Sequence, residues 1–431
     1  MRKHIGFAEL GFTVVCLLLY SSALLPLILS GGASEGEEGP AADYALIRLI
    51  FALIYLVTFF LLIARSKKVI YLLSKDRFIW VLVGTTIVSI LWSSTPTMTQ
   101  SRSISLVGTT LFGLYLAGRY SLKQQLQLLG WMFGIAIVLS LLFAVALPRY
   151  GIMGGIHAGA WRGIYTHKNG FGRIMILSAV VFLLLAIDAK KKRWLLWCGF
   201  GLSVSLLLLS KSSSSLINLM TLLALIPVLQ TLRWRDDVMI PALSFIAIIG
   251  GSLYVGLTAN ANHLLGLIGK DATLTGRGDL WPLVWEKIWQ RPWLGYGYSG
   301  FWQGWDSEAA SIWYAVGWEP PNAHNGFMDL WLDLGLLGVF IYFLGVSISL
   351  CRAVAWVRLS RTSDAFWPLI YLIGILLFNM SETTLLGNNS IYWVLHVAVV
   401  LSLLIRPAYK SESGDIKIEA TPGSVKQSIK S

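Results

Sequence analysis

The stretch Pro320 to Gly338, PPNAHNGFMDLWLDLGLLG, sets a histidine beside an asparagine just ahead of an apolar helical run. An imidazole that titrates near neutrality can take a proton from an attacking hydroxyl. That makes His324 a candidate general base and Asn325 a candidate substrate ligand next to it; a helix cap is the structural alternative for His324. A second constellation is basic. The segment RYGIMGGIHAGAWRGIYTHKNGFGR, residues 149–173, supplies Arg162, His167, Lys168 and Arg173. A third, TGRGDLWPLVWEKIWQRPWLGYGYSG, residues 275–300, supplies Arg277 and Arg291, and Arg102 follows STPTMTQS. Forked guanidiniums match phosphate oxygens two at a time. The chemistry these residue types suit is attack by a hydroxyl beside a bound phosphate-bearing group, although anionic lipid headgroups would also satisfy the basic residues.

The elements that must position these groups are membrane helices. Of 431 residues, 56% are hydrophobic and only 13% charged, where a soluble domain carries roughly 25% charged residues. Apolar runs long enough to cross a hydrocarbon core of roughly 30 Å recur along the chain. They place about twelve spans at 7–29, 44–64, 78–94, 103–118, 126–147, 169–188, 194–210, 215–232, 238–258, 327–351, 365–380 and 390–406. The expectation is an all-α polytopic membrane protein with one transmembrane domain over 1–406 and a polar, disordered tail over 407–431. The first span is longer than the core of a signal peptide, so it reads as an uncleaved helix. Basic residues recur in alternate connections: Arg2 and Lys3, RSKK at 65–68, Lys75 and Arg77, Arg119 and Lys123, KKKR at 190–193, Arg233 and Arg235, and Arg352, Arg358 and Arg361. This alternation puts those loops and both termini on the cytoplasmic side, and the net charge of +12 is no sign of nucleic acid.

The catalytic candidates then fall on the opposite, outward side. The connection 259–325 between spans nine and ten is the longest, and loops of that length are commonly functional. It contains an amphipathic helix after Thr275, with apolar residues at 280, 281, 284, 285, 288 and 289, expected to lie at the outer interface. Tryptophans 281, 285, 289, 293, 302, 305, 313 and 318 crowd its second half, suiting an interfacial belt or stacking on sugar rings. GYGYSG at 295–300 fits GxGxxG, but no β-branched strand precedes it and it faces outward, so a dinucleotide site is rejected. Cys16, Cys198 and Cys351 lie in or beside spans and suggest neither a disulfide framework nor zinc. No metal ligand set and no cofactor motif is apparent.

In these motifs the chain resembles the O-antigen ligase and polymerase superfamily of bacterial inner-membrane enzymes. The pattern His-[Asn/Ser/Gln]-x9-Gly-x2-[Gly/Thr/Tyr] is met by His324, Asn325, Gly335 and Gly338, beside TGR at 275–277 and HKN at 167–169. The resemblance implies transfer or polymerisation of an undecaprenyl-pyrophosphate-linked glycan on the periplasmic face, by a glycosyltransferase without a metal or cofactor. It implies that His324 is catalytic, with Arg277 and Arg162 on the pyrophosphate. Asn325, His167, Lys168, Arg173, Arg291 and Arg102 are the further substrate-binding candidates. The HKN triplet is most similar to the exopolysaccharide-polymerase branch. The alternatives are a ligase joining glycan to lipid A-core, or a lipid-glycan flippase. Implied partners are the lipid-linked glycan, its glycan or lipid acceptor, membrane lipids, and flippase and co-polymerase proteins.

Overall fold

The apolar runs form helices whose ends are set by identifiable signals. The computed structural model describes residues 2–34, 44–245 and 277–405. Thr275, most of the span expected at 238–258, the first half of the large loop and the tail 407–431 lie outside the described residues. We label the principal helices α1 (Arg2–Tyr20), α2 (Ala45–Ile63), α3 (Phe78–Val88), α4 (Pro96–Arg119), α5 (Leu122–Ala146) and α6 (Lys168–Asp188). Then come α7 (Arg193–Leu209), α8 (Ser213–Gln230), α9 (Arg277–Gln290), α10 (Gly326–Leu359), α11 (Phe366–Asn379) and α12 (Ile391–Ser402). Pro96 opens α4, where a missing N–H costs nothing. Ser121 and Gln124 form a reciprocal capping box on α5. The described residues contain no strand, only one isolated bridge, Ile152 to Trp161.

This is an all-α polytopic membrane protein. α2, α5, α6, α8 (with its short 3₁₀ extension to Arg233) and α10 are long and apolar enough to cross a bilayer; the spans expected at 7–29, 78–94, 194–210, 365–380 and 390–406 coincide with shorter apolar helices, and the one expected at 103–118 falls within the less apolar α4. α6 is central, packed by α5, α7, α8 and α11, while α12 is buried against α4. The Ser178 and Ser203 hydroxyls bond at 2.7 Å across α6 and α7, and Trp393 Nε1 donates to Thr110 at 2.8 Å across α12 and α4. The expected first span is divided. After α1 the chain turns through Ser22 and Leu24, both at positive φ, and the Leu24 N–H donates to Ile164 O at 2.8 Å. A tertiary partner thus ends a helix that local apolarity would continue.

The bundle has two chemically distinct ends. At one, Glu9 holds Arg65 (2.5 Å) and Arg119 (3.3 Å), Asp188 accepts from Ser363, and Arg233 donates to Thr362 O at 2.6 Å. At the other stand the beginnings of α4, α6, α10 and α12. There residues 280–332 build a second small core from Leu280, Val284 and Ile288 of α9 with Tyr296, Phe301 and Ile312. Leu280, Val284 and Ile288 of the apolar stripe of α9 face this core, while Trp285 and Trp289 of the same stripe are exposed.

One break joins this small core to the bundle. The apolar pattern of α10 is continuous, yet Gly335 has φ 65° and ψ −169°. Residues 292–296 dock into the gap: Leu336 N–H donates to Pro292 O (2.8 Å), Leu337 N–H to Trp293 O (3.3 Å) and Tyr296 N–H to Leu332 O (2.7 Å). A Cβ at Gly335 would lie 2.2 Å from the Trp293 carbonyl. The second glycine-rich element, GYGYSG, packs on the turn before α4. Its Tyr298 N–H donates to Ser89 Oγ (3.0 Å) and its Tyr298 carbonyl accepts from Thr99 (2.9 Å).

Candidate functional site

Asn169 and Arg173 stand four residues apart at the start of α6 and so share one face. The His167 side chain caps this helix, Nδ1 accepting the Asn169 N–H at 3.1 Å. Their common partner is Glu382, in the turn between α11 and α12. Glu382 Oε1 accepts from Asn169 Nδ2 at 3.1 Å and lies 3.8 Å from Arg277 Nη2. Its Oε2 lies 3.5 Å from Arg173 Nη1. Arg277, the first residue of α9, also donates to the Ser381 carbonyl at 2.6 Å. Two guanidiniums thus converge on one carboxylate, with side chains 16%, 17% and 11% exposed for Arg173, Arg277 and Glu382. Arg173 Nε and Nη1 are buried without a hydrogen-bond partner, and its guanidinium lies 5.7 Å from the Tyr392 ring. An excess positive charge with unmet donors favours an added anion with several acceptor oxygens.

His324 is coupled to this cluster through the backbone on both sides. The Gly326 N–H donates to the Glu382 carbonyl at 3.2 Å. Asp329, buried one turn into α10, accepts the Ala323 N–H (3.1 Å to one oxygen, 3.2 Å to the other), Trp302 Nε1 (2.8 Å) and the Thr383 hydroxyl. Trp281 Nε1 donates to Ala323 O at 3.0 Å and Trp313 Nε1 to Pro320 O at 3.1 Å. Several tryptophans therefore fix residues 320–324 through their polar edges. The backbone of His324 sits at φ 49°, a left-handed conformation uncommon for a side-chain-bearing residue, with its N–H on Asn322 Oδ1 at 2.9 Å. The imidazole stacks on Trp318 at 6.1 Å and 29°, and Trp318 is 38% exposed. Such strain, held by surrounding bonds, is typical of functional positions.

The O-antigen ligase family profile matches residues 198–343. The exopolysaccharide production protein ExoQ of Rhizobium meliloti is 26% identical over 321 residues, 70% of this chain and 71% of that protein. A candidate polysaccharide ligase of Rickettsia conorii is 25% identical over 302 residues, 67% of this chain and 68% of that one. The chain is similar to the O-antigen ligase superfamily, and these matches support a membrane protein with a ligase- or polymerase-like role in glycan assembly. The matched span includes Arg277, Arg291, His324 and Asn325; Arg162 and Arg173 precede it and Glu382 follows it.

The remaining candidates are dispersed around this centre. Arg162 is fully buried, and its donors go to five backbone carbonyls: Tyr150 (2.8 Å), Ala33 (3.0 Å), Thr166 (3.3 Å), Gly32 (2.5 Å) and Arg149 (2.8 Å). It staples the loop before α6 to residues 32–33, beyond the short helix Leu25–Leu29 that follows α1. Arg291 lies 4.6 Å over the Tyr296 ring and reaches Ser94 and Glu308, each at 3.3 Å. Arg102 is half-buried on α4, near enough to Tyr298 to oppose the rise that burial and Asp333 cause in its phenol pKa. Asn325 caps α10, accepting the Phe327 and Met328 N–H groups at 3.0 and 3.2 Å. Lys168 is half-buried at the start of α6 beside His167, whose ring meets His157 at 5.4 Å. Among the described residues no three His, Cys, Asp or Glu side chains come together as a metal group.

Glu382, Asp329 and Thr383 were not singled out by sequence reasoning, and Asn169 entered only as part of the HKN triplet. A signal existed for Glu382: it is an acid in SETTLLGNNS, a connection expected to face outward, at the end of the bundle where Arg173 and Arg277 gather. The protein thus supplies them with an anion itself.

Proposed function

We propose that this protein is a membrane glycosyltransferase that uses an undecaprenyl-pyrophosphate-linked oligosaccharide at the periplasmic face of the bacterial inner membrane. Its most fitting reaction is exopolysaccharide polymerisation. The observation that carries the reading is the convergence of Arg173 and Arg277 on Glu382, with Arg173 donors unmet, in a cluster bonded to the His324 segment. A pyrophosphate bearing several acceptor oxygens suits that excess charge, and two guanidiniums can grip it bidentately. The acceptor hydroxyl attacks the anomeric carbon of the donor and a new C–O bond forms. The bond from that carbon to the pyrophosphate oxygen breaks, and undecaprenyl pyrophosphate leaves with the electron pair. His324 takes the hydroxyl proton, and the arginines stabilise the charge growing on the leaving group. The indole of Trp318, part-exposed against the imidazole, offers a face on which a sugar ring can stack.

Arg162 acts here as a positioning residue that shapes the loop carrying His167 and Lys168. The name of the R. meliloti relative and the HKN triplet support polymerisation; the name of the R. conorii relative supports ligation as the second reading. Flippase and co-polymerase proteins are the partners a polymerase would work beside. The deciding experiment is reconstitution of the purified protein in liposomes with a lipid-linked repeat unit, with and without lipid A-core. A ladder of lengthened lipid-linked glycan without lipid A-core is the outcome expected. Product that forms only when lipid A-core is present would replace polymerase by ligase.

A further inference from the structure

At the end of the bundle opposite His324, α5 and α7 both pack on α6 and diverge, leaving a groove of about 680 Å³. That volume falls within the roughly 300–1,000 Å³ of small-molecule sites. Its floor is Phe182 and Leu185 of α6, and its walls include Gly130 and Gly134 of α5 and Leu202 of α7. The glycines make the α5 wall concave. A Cβ at Gly134 would meet nothing within 4 Å, whereas one at Gly130 would approach Leu185 at 2.9 Å. The rim is polar and basic: Lys123, Lys191 and Lys192 are all exposed there. Two acids, Asp188 and Asp364, also line the groove, so the three lysines leave a net positive rim, and Asp188 is directed at the Ser363 N–H (2.8 Å) and hydroxyl (2.5 Å).

We propose that this groove binds an anionic diacyl phospholipid, its phosphate on the three lysines and one acyl chain along Gly134. The dimensions agree. Lys123 to Gly134 spans ~16 Å of helix, and one leaflet of a core of roughly 30 Å is half that thickness. The charge agrees too, because a lysine rim selects an anionic headgroup over a zwitterionic one. A headgroup here sits ~28 Å along α6 from Asn169, so the site is separate from the Glu382 cluster and does not depend on the function proposed above.

The test is native mass spectrometry of the full chain purified in detergent and titrated with phosphatidylglycerol or phosphatidylcholine. Near an anionic surface a lysine contributes about a fivefold preference, so the wild type should retain phosphatidylglycerol at least about fivefold more tightly than phosphatidylcholine. Lys191→Gln combined with Lys192→Gln, both at exposed positions, should bring the two lipids together. Gly134→Leu should remove retained phosphatidylglycerol while the thermal unfolding temperature in detergent stays unchanged. Equal retention of the two lipids by the wild type, or full retention by both variants, would overturn the proposal. So would preferential retention of undecaprenyl phosphate over phosphatidylglycerol.

Discussion

Arg162 gives its donors to five carbonyls in a fully buried position, whereas Arg277 faces Glu382 and the Ser381 carbonyl with its side chain 17% exposed. The same substitution should therefore fail for different reasons at the two positions. Lysine has three donors against the guanidinium's five. Arg162→Lys leaves at least two buried carbonyl contacts unmade, each costing about 1–3 kcal/mol. Its folded yield, read by fluorescence-detected size exclusion, should drop, taking activity down in proportion. Arg277→Lys should keep a normal elution profile and lose about 10²-fold in transfer rate, the usual effect of removing one donor to developing charge. In the sequence these two arginines looked equivalent, because family position and charge say nothing of which carbonyls lie nearby. His324 and Arg277 were legible from their motifs. Glu382, Asp329 and Thr383 were not, since Glu382 meets Arg277, and Thr383 meets Asp329, only across distant parts of the chain.

At the scale of elements, helix existence was readable and helix interruption was not. The run from Gly326 to Leu359 has no proline, and its apolar pattern passes through Gly335 unchanged. The break is stabilised from outside by the carbonyls of Pro292 and Trp293. The same holds for the turn at Ser22 and Leu24, tied to Ile164. The tryptophans of the large loop were legible as a cluster. The indole N–H bonds by which Trp281 and Trp313 hold Ala323 and Pro320, and Trp302 holds Asp329, could not be read from composition. Gly335→Ala should be severe, combining a left-handed backbone, which disfavours a side chain, with a Cβ 2.2 Å from the Trp293 carbonyl. We expect the unfolding temperature in detergent to fall by several degrees, since about 1 kcal/mol moves a domain of 150–250 residues by ~2–4 °C. Gly134→Ala, whose Cβ meets open space, is the control and should leave the temperature at or slightly above the wild-type value. An unchanged temperature for Gly335→Ala would remove the docked 292–296 segment as the reason for that glycine.

For the whole molecule, the two ends differ as the alternating basic loops imply: Lys191 and Arg233 stand at one, and His324, Arg277 and Glu382 at the other. The orientation assigned by charge makes a direct expectation. In a cysteine-free background, Asp306→Cys should react with a membrane-impermeant maleimide in intact spheroplasts, and Lys191→Cys only after lysis. The reverse pattern would place the candidate site in the cytoplasm and remove its periplasmic substrate.

Whether His324 is the base of a glycan-transfer site is decided by the transfer rate of His324→Asn in liposomes, with donor binding scored separately. Asparagine tolerates the left-handed backbone at φ 49° and can cap a helix, so it preserves the structural role while removing the base. We expect normal abundance, retained binding of the undecaprenyl-pyrophosphate-linked donor, and transfer reduced by about 10²–10⁴-fold. Full transfer by His324→Asn would contradict that role and leave His324 a structural residue at the start of α10.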